Sequence, residues 1–150
     1  MNKQKTILTA IMVAVFLFMP RMGYTEDLLP LMPHFIYPFS HANVWHLAAN
    51  ILCLWCVKCR MYAIQAYIMA VMCSFFPEPA IFHQEPTMGF SGVLFAMVGI
   101  SWGQAVMLKM MFRKNWVVLV VPFFIPHVNA LIHIYCLFAG YVYGSICRSR

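Results

Sequence analysis

Ser91 is the residue in this chain best suited to nucleophilic chemistry. It stands in a Gly-Phe-Ser-Gly run, residues 89–92, at the start of a long apolar segment. A serine hydroxyl is a weak nucleophile until a base removes its proton, and neutral imidazole is the usual base near pH 7. His46 and His133 lie near the beginnings of two other apolar segments. These residue types indicate acyl transfer, if the three segment ends meet.

Acyl transfer also requires hydrogen-bond donors for the oxyanion of the intermediate. Asn50 follows His46 by four residues, so the two share one face of a helix. One histidine can therefore serve as the base, while the other and Asn50 serve as donors. His41 lies at the loop boundary just before this helix.

The elements that carry these residues are membrane segments. The chain is 63% hydrophobic and 9% charged, with a mean hydropathy of +0.78, unlike a soluble domain. We predict an all-α polytopic membrane protein. Six apolar segments can be drawn, namely Thr6–Met19, Val44–Val57, Met61–Phe76, Phe90–Leu108, Trp116–Ile125 and Val128–Ile146. The second and fifth are short against the roughly 20 residues that a span needs.

The charged residues predict the orientation of these segments. Lysines and arginines concentrate in both termini and in the loops after segments two and four, whereas the acids and Arg21 fall in the other loops. Cytoplasmic loops retain positive charge, so both termini are predicted to be cytoplasmic and Ser91 lies toward the outer face. The net charge of +6 is interpreted as a topology signal, not as a nucleic-acid surface. A cleaved signal peptide is the alternative for segment one, although residues 23–25 make a poor cleavage site.

Six spans consume nearly the whole chain. We therefore expect one membrane domain over residues 1–150, without a soluble domain, and a function within the lipid bilayer. A bacterial cytoplasmic membrane is the expected location. The outer loops Pro20–Ala42 and Pro77–Met88 are rich in proline and are predicted to be ordered loops or re-entrant pieces.

Together the polar residues resemble the rhomboid intramembrane serine proteases. The resemblance rests on three blocks in order, namely His41, His46 and Asn50, then residues 89–92, then His133 followed by Gly140 and Gly144. The lead-in of residues 39–41 and the run of residues 46–52 are also similar to that family. The three blocks cover about 60 residues, and a match in all of them is far more specific than in one.

The resemblance implies a six-helix endopeptidase that cuts transmembrane segments of other membrane proteins with a catalytic dyad and no cofactor or metal. Ser91 would attack the scissile carbonyl and His133 would carry the proton. The backbone amide of Ser91 and the side chains of His46 and Asn50 would hold the oxyanion. Supporting positions would be His41, Gly89, Gly92, Phe95, Gly140 and Gly144.

Two of these supporting roles have a stated geometry. Phe95 falls where the family commonly stacks an aromatic ring on the catalytic imidazole. Gly140 and Gly144 form a small-xxx-small pair that lets segment six approach segment four closely, with Gly92 and Gly99 as the facing notch.

The chain also departs from the family pattern. Cys136 stands where the family often has another glycine. The first outer loop is only about 20 residues and lacks the Trp-Arg pair of many members. Residues 57–60 replace the Gly and Glu often found after segment two. We therefore expect the first outer loop to support the site less than in those members.

Two other functions compete with proteolysis. One is a catalytically inactive rhomboid-like protein that binds transmembrane helices, and the other is a small transporter or histidine-ligated haem protein in which Ser91 has no role. A metal site at Cys53, Cys56 and Cys59 is disfavoured because no fourth ligand is nearby.

Further expectations concern the outer loops and substrate entry. His34, His83 and His127 lie near prolines and are expected to be solvated or interfacial. Segment five, with Pro122 inside it and Pro126 after it, is a candidate lateral gate, and residues 77–88 would cap the cavity.

Overall fold

The computed structural model describes residues 3–25, 30–58, 62–77, 86–105, 113, 115–116, 120 and 129–148. Apart from an isolated antiparallel bridge between Tyr24 and Thr87, the regular structure of these residues is helical, which confirms the all-α class for this part of the chain. The helices are α1 Lys3–Phe18, α2 Met32–Ile36, α3 Val44–Cys56, α4 Ala63–Cys73, α5 Ser91–Gln104 and α6 Ala130–Arg148.

The predicted segments agree with these helices unevenly. Segments one, two, four and six correspond to α1, α3, α5 and α6 with ends shifted by a few residues. Segment three corresponds to α4, again with ends shifted by two and three residues, and the chain turns at Ser74 after this helix. The short α2 was missed, although Pro33 in its first turn is a helix-start signal. Segment five lies outside the described residues except for Trp116 and Val120, as do His83, His127, Cys59, Pro122 and Pro126.

The described helices differ in how well their lengths match a bilayer. α6, with 19 residues, is the described helix that is long and apolar enough to cross a membrane. α3 and α4 are apolar but shorter, with 13 and 11 residues. Thirteen residues rise only about 20 Å, against about 30 Å of hydrocarbon. The six-span topology and the cytoplasmic termini remain predictions.

α5 is the central helix of the described fold. Every residue from Gly92 to Ser101 is buried, as expected for a helix that is apolar on all sides. α6 packs along it most extensively, and α4 contacts both. The outer helices instead expose large apolar side chains, for example Ile64 on α4 and Phe138 on α6.

Glycines set the distance between α5 and α6. Gly99 and Gly103 on α5 face Gly140 and Gly144 on α6, and a methyl group added to any of the four would overlap a carbonyl oxygen of the opposite helix. Such small-xxx-small surfaces allow two backbones to touch, which is a main source of helix association in lipid. Gly140, Gly144 and Gly99 lie in this contact, where the sequence predicted them. Gly103 was missed.

Gly92, predicted as part of the same notch, also faces α6, but it meets side chains there. A methyl group added to Gly92 would lie 3.3 Å from the hydroxyl oxygen of Tyr37 and 3.4 Å from the sulfur of Cys136. Gly92 therefore makes room for side chains of the first outer loop and α6, whereas Gly99 and Gly103 make room for the α6 backbone.

Two cations close the ends of helices at the side predicted to be cytoplasmic. Lys5 of α1 is buried and its Nζ donates to the carbonyls of Trp55 and Val57, at 3.2 and 2.8 Å, where α3 ends. Arg148 of α6 donates to the carbonyl of Ala105 at 3.0 Å, just after α5. Cations at a helix C-terminus donate hydrogen bonds to its last carbonyls and interact favourably with the helix dipole. The interpretation of these residues as topology signals alone was therefore too narrow.

Candidate active site

Ser91 is the first residue of α5 and is half-buried. The chain reaches it through Gly89, whose backbone φ of 121° lies in a region that residues other than glycine rarely adopt. The Gly89 amide donates to the carbonyl of Tyr37 at 2.8 Å, which fixes the turn against the first outer loop. Ser91 is thus presented at the end of a buried helix by a tight glycine turn.

His133 of α6 reaches this serine directly. Its Nε2 lies 2.7 Å from the Ser91 Oγ, within hydrogen-bond distance, so the hydroxyl can donate to this nitrogen in the tautomer that carries its proton on Nδ1. The imidazole is only 1% exposed. The ring of Phe95, one turn into α5, lies parallel to it at 4.3 Å between centroids and 5° between planes. The stack allows the imidazole little rotation, so Nε2 stays directed at Ser91.

His46 and Asn50 approach the same turn from α3. Asn43 caps this helix by accepting from the His46 amide at 2.9 Å, and Asn50 donates to the His46 carbonyl at 2.9 Å. A methyl group on Gly89 would lie 2.7 Å from the His46 Nε2 and 3.5 Å from the Asn50 Nδ2. Both side-chain nitrogens therefore sit over the backbone two residues before Ser91, and only glycine leaves them room.

His41 packs behind His46. The two rings meet edge to face at 5.4 Å, and the Nδ1 of His41 donates to the carbonyl of Phe39 at 3.0 Å. Burial, followed by the nearby charge of His46 when protonated, lowers the pKa of His41 from 6.5 to about 4, against a smaller raising effect of the Phe39 carbonyl. A neutral His41 thus backs the side chain that faces Gly89.

The first outer loop is firmly docked beside the site. Tyr24 and Thr87 exchange backbone hydrogen bonds of 3.1 and 2.8 Å, and the Tyr37 hydroxyl donates to the carbonyl of Ala70 at 2.8 Å. Ser40 accepts from the amide of Met22 at 2.8 Å. The loop therefore supports the turn before Ser91 despite its short length and the absence of a Trp-Arg pair.

His34 anchors this loop, which corrects the expectation that it is solvated or interfacial. Its ring is 1% exposed and stacks between Tyr24 and Phe75, at 5.0 and 4.3 Å. Its Nδ1 lies 2.9 Å from the Ser74 Oγ, which itself donates to the carbonyl of Val71. Because that hydroxyl proton is committed to a carbonyl, this second Ser-His pair is a structural contact.

Sequence reasoning missed two further residues at the site. Asn129 precedes α6 and its Oδ1 accepts from the amides of Leu131 and Ile132, at 3.0 and 3.3 Å. Its Nδ2 donates to the Thr87 Oγ1 at 2.7 Å. An asparagine just before an apolar segment is a helix-start signal, so Asn129 was detectable. Nothing in the sequence marks Thr87.

Comparison with known proteins gives one finding. The family model described as "Rhomboid domain" matches residues 30–150, which include every residue of the site. No curated protein and no solved structure gives a significant match to the chain.

Proposed function

This chain belongs to the rhomboid family of integral membrane proteins, and we propose that it is an intramembrane serine endopeptidase. The family consists mostly of serine proteases but also contains inactive members, so the activity must be argued from this chain's own residues. The observation that carries the proposal is the 2.7 Å contact between the Ser91 Oγ and the His133 Nε2.

The geometry around that contact favours a working dyad. A neutral imidazole that accepts from the serine hydroxyl can take the proton as oxygen attacks a carbonyl. The stack with Phe95 and the burial of His133 keep the nitrogen directed at the hydroxyl. Ser91 itself remains half-buried, at the outer end of an otherwise enclosed helix. Ser91 is therefore accessible to a substrate, whereas His133 is shielded from solvent and held in a fixed orientation.

The reaction then follows from the named atoms. The Ser91 Oγ bonds to the scissile carbonyl carbon while its proton passes to the His133 Nε2. The Ser91 amide and the side chains of His46 and Asn50 stabilise the oxyanion. His133 returns the proton to the leaving amine, which gives the acyl-enzyme and a free amine. His133 next takes a proton from water as the water oxygen bonds to the acyl carbon, and it then returns this proton to the Ser91 Oγ as the acyl bond breaks, which releases the carboxylic acid and regenerates the dyad.

The proposed substrates are transmembrane segments of other membrane proteins. The proposed location is a bacterial cytoplasmic membrane with the site toward the outer face. A helical peptide bond is already hydrogen-bonded and shielded, so the substrate must unwind locally before Ser91 can attack it. The single membrane domain over residues 1–150 is part of the same proposal.

The rival functions receive less support. A haem protein or transporter would need His133 as a ligand or as a group lining a pathway, whereas its Nε2 is directed at Ser91. An inactive relative has no need of a stacked imidazole at hydrogen-bond distance from a serine. No described contact favours either function over proteolysis.

The test is cleavage of a fluorescent transmembrane reporter by the purified protein in liposomes. Wild type is compared with Ser91→Ala and His133→Ala, with Ser145→Ala on α6 as a control serine outside the site. We expect both site variants to lose cleavage and the control to retain it. A wild type that binds reporters without cutting any would establish the inactive relative, and a Ser91→Ala variant that still cuts would refute the dyad.

A further inference from the structure

A second hydrogen-bonded bridge runs beside the dyad. Thr87 lies four residues before Ser91, and Asn129 lies four residues before His133. The Asn129 Nδ2 donates to the Thr87 Oγ1 at 2.7 Å, and both side chains are buried. The two bridges therefore link the same two chain segments at successive points.

Thr87 is a rigid end of this bridge. Its amide and carbonyl are both bonded to Tyr24, at 2.8 and 3.1 Å, so the residue is held to the first outer loop on its other side. Two residues later the Gly89 amide is bonded to the carbonyl of Tyr37. Backbone bonds thus fix the segment that leads to Ser91 from one side, and the Thr87 hydroxyl accepts from Asn129, just before α6, on the other.

Asn129 is the end of the bridge that belongs to α6. Its amide oxygen caps the helix at Leu131 and Ile132, while its amide nitrogen binds Thr87. In an α-helix the carbonyl of the N-cap residue accepts from the amide four residues later, which here is His133. The turn that presents the imidazole is therefore closed by the same residue that binds Thr87.

We propose that Thr87 and Asn129 are positioning residues that set the register of His133 against Ser91. The inference rests on the proposed proteolytic function. Beyond His133, the α6 backbone meets α5 where the carbonyl of Leu137 lies against Gly99, four residues and about 6 Å further along the axis. Thr87 and Asn129 hold the outer end of α6, so His133 lies between two attachments and can neither slide nor rotate away from Ser91.

Isosteric variants separate this role from helix capping. Thr87→Val removes the hydroxyl and keeps the shape, whereas Thr87→Ser keeps the hydroxyl. Asn129→Ser retains an oxygen that can cap α6 but is too short to reach Thr87. Asn129→Asp retains the cap and can accept a hydrogen bond from the Thr87 hydroxyl, so it restores the bridge with the opposite direction.

The readouts are kcat and KM for a transmembrane reporter and the rate constant of Ser91 labelling by a fluorophosphonate, with thermal unfolding measured alongside. We expect Thr87→Val and Asn129→Ser each to lower kcat and the labelling rate constant about tenfold, with KM within about twofold. The double variant should be no worse than either single one, and Thr87→Ser and Asn129→Asp should stay near wild type. Thr9→Val, which removes the hydroxyl that accepts from the Trp55 Nε1, is the matched control.

Three outcomes overturn the inference. One is an unchanged kcat in Thr87→Val; another is a loss that appears only as a lower melting temperature, with a normal labelling rate constant. The third is a loss that Thr87→Ser fails to avoid. A wild type that neither cleaves nor labels contradicts the proposed function instead, so the two failures are distinguishable. Should Thr87→Val not fold, Asn129→Ser decides.

Discussion

The turn at Gly89 offers the sharpest test of how the site is assembled. In Gly89→Ala a methyl group would lie 2.7 Å from the His46 Nε2 and 2.8 Å from its Cε1, and the residue would have to keep a φ of 121°. Ordinary van der Waals contact begins at 3.4 Å, so the imidazole or the turn must move by about 0.7 Å. Either movement separates His46 from the backbone that leads to Ser91.

The size of the effect follows from these two costs. A residue other than glycine in such a backbone conformation costs about 1–3 kcal/mol of folding free energy. A misplacement approaching 1 Å at a catalytic site costs about 100-fold in rate. We therefore expect Gly89→Ala to fold with a lowered melting temperature and to cleave a transmembrane reporter with kcat reduced about 100-fold.

The assay compares this variant with Gly103→Ala, whose methyl group would overlap the carbonyl of Tyr141 far from Ser91. Both variants should lose stability, but only Gly89→Ala should lose kcat per folded molecule, measured after titration of the reactive serine. A Gly89→Ala variant with kcat near wild type would show that the placement of His46 over this turn is unimportant. Equal losses of kcat in both variants would show that the lower kcat comes from general destabilisation and not from the position of His46.

Three further substitutions test other parts of the structure. Burial holds the pKa of His41 at about 4, below its ordinary 6.5, so the unfolding free energy decreases as pH falls from 6.5 toward 4, by up to about 3 kcal/mol. His41→Asn should abolish this decrease. An unchanged slope of melting temperature against pH in the variant would contradict the prediction. Phe95→Leu removes the stack on His133 and should lower kcat about 2- to 10-fold at constant KM, so a change in KM alone would be evidence against an orienting role. Lys5→Met should lower the unfolding free energy by about 1–3 kcal/mol with kcat per folded molecule unchanged, and an unaltered melting curve would argue against the cap on α3.

Local patterns and their spacing predicted which residues come together at the candidate site better than they predicted the contacts that hold those residues in place. The family assignment, made from blocks around His46, Ser91 and His133, is confirmed by the family model. The close approach of α5 and α6 was also predictable, because Gly140 and Gly144 recur at helical spacing. Periodicity alone could not distinguish Gly92 from Gly103, since the crossing point of two helices depends on their tilt.

The first outer loop shows why the remainder was hidden. His34 reads as a loop histidine near prolines, yet Tyr24 and Phe75 enclose it from segments ten and forty-one residues away. The bond between Thr87 and Asn129 likewise joins residues that no short pattern connects. Such contacts arise from the way helices bring distant loops together, so a single sequence carries no local signal for them.

The enclosure of α5 divides the chain into two regimes of mutational tolerance. Between Gly92 and Ser101 each side chain is surrounded by protein, so a substitution there is judged by volume and shape. At positions such as Ile64 and Phe138, which face outward, any residue of sufficient hydrophobicity should serve. In a library of all single substitutions, we therefore expect most exchanges among large apolar residues to preserve folding on the outer faces of α4 and α6. Most of the same exchanges in α5 should impair folding. The inner helix that carries Ser91 should then change in sequence more slowly than the exposed faces around it.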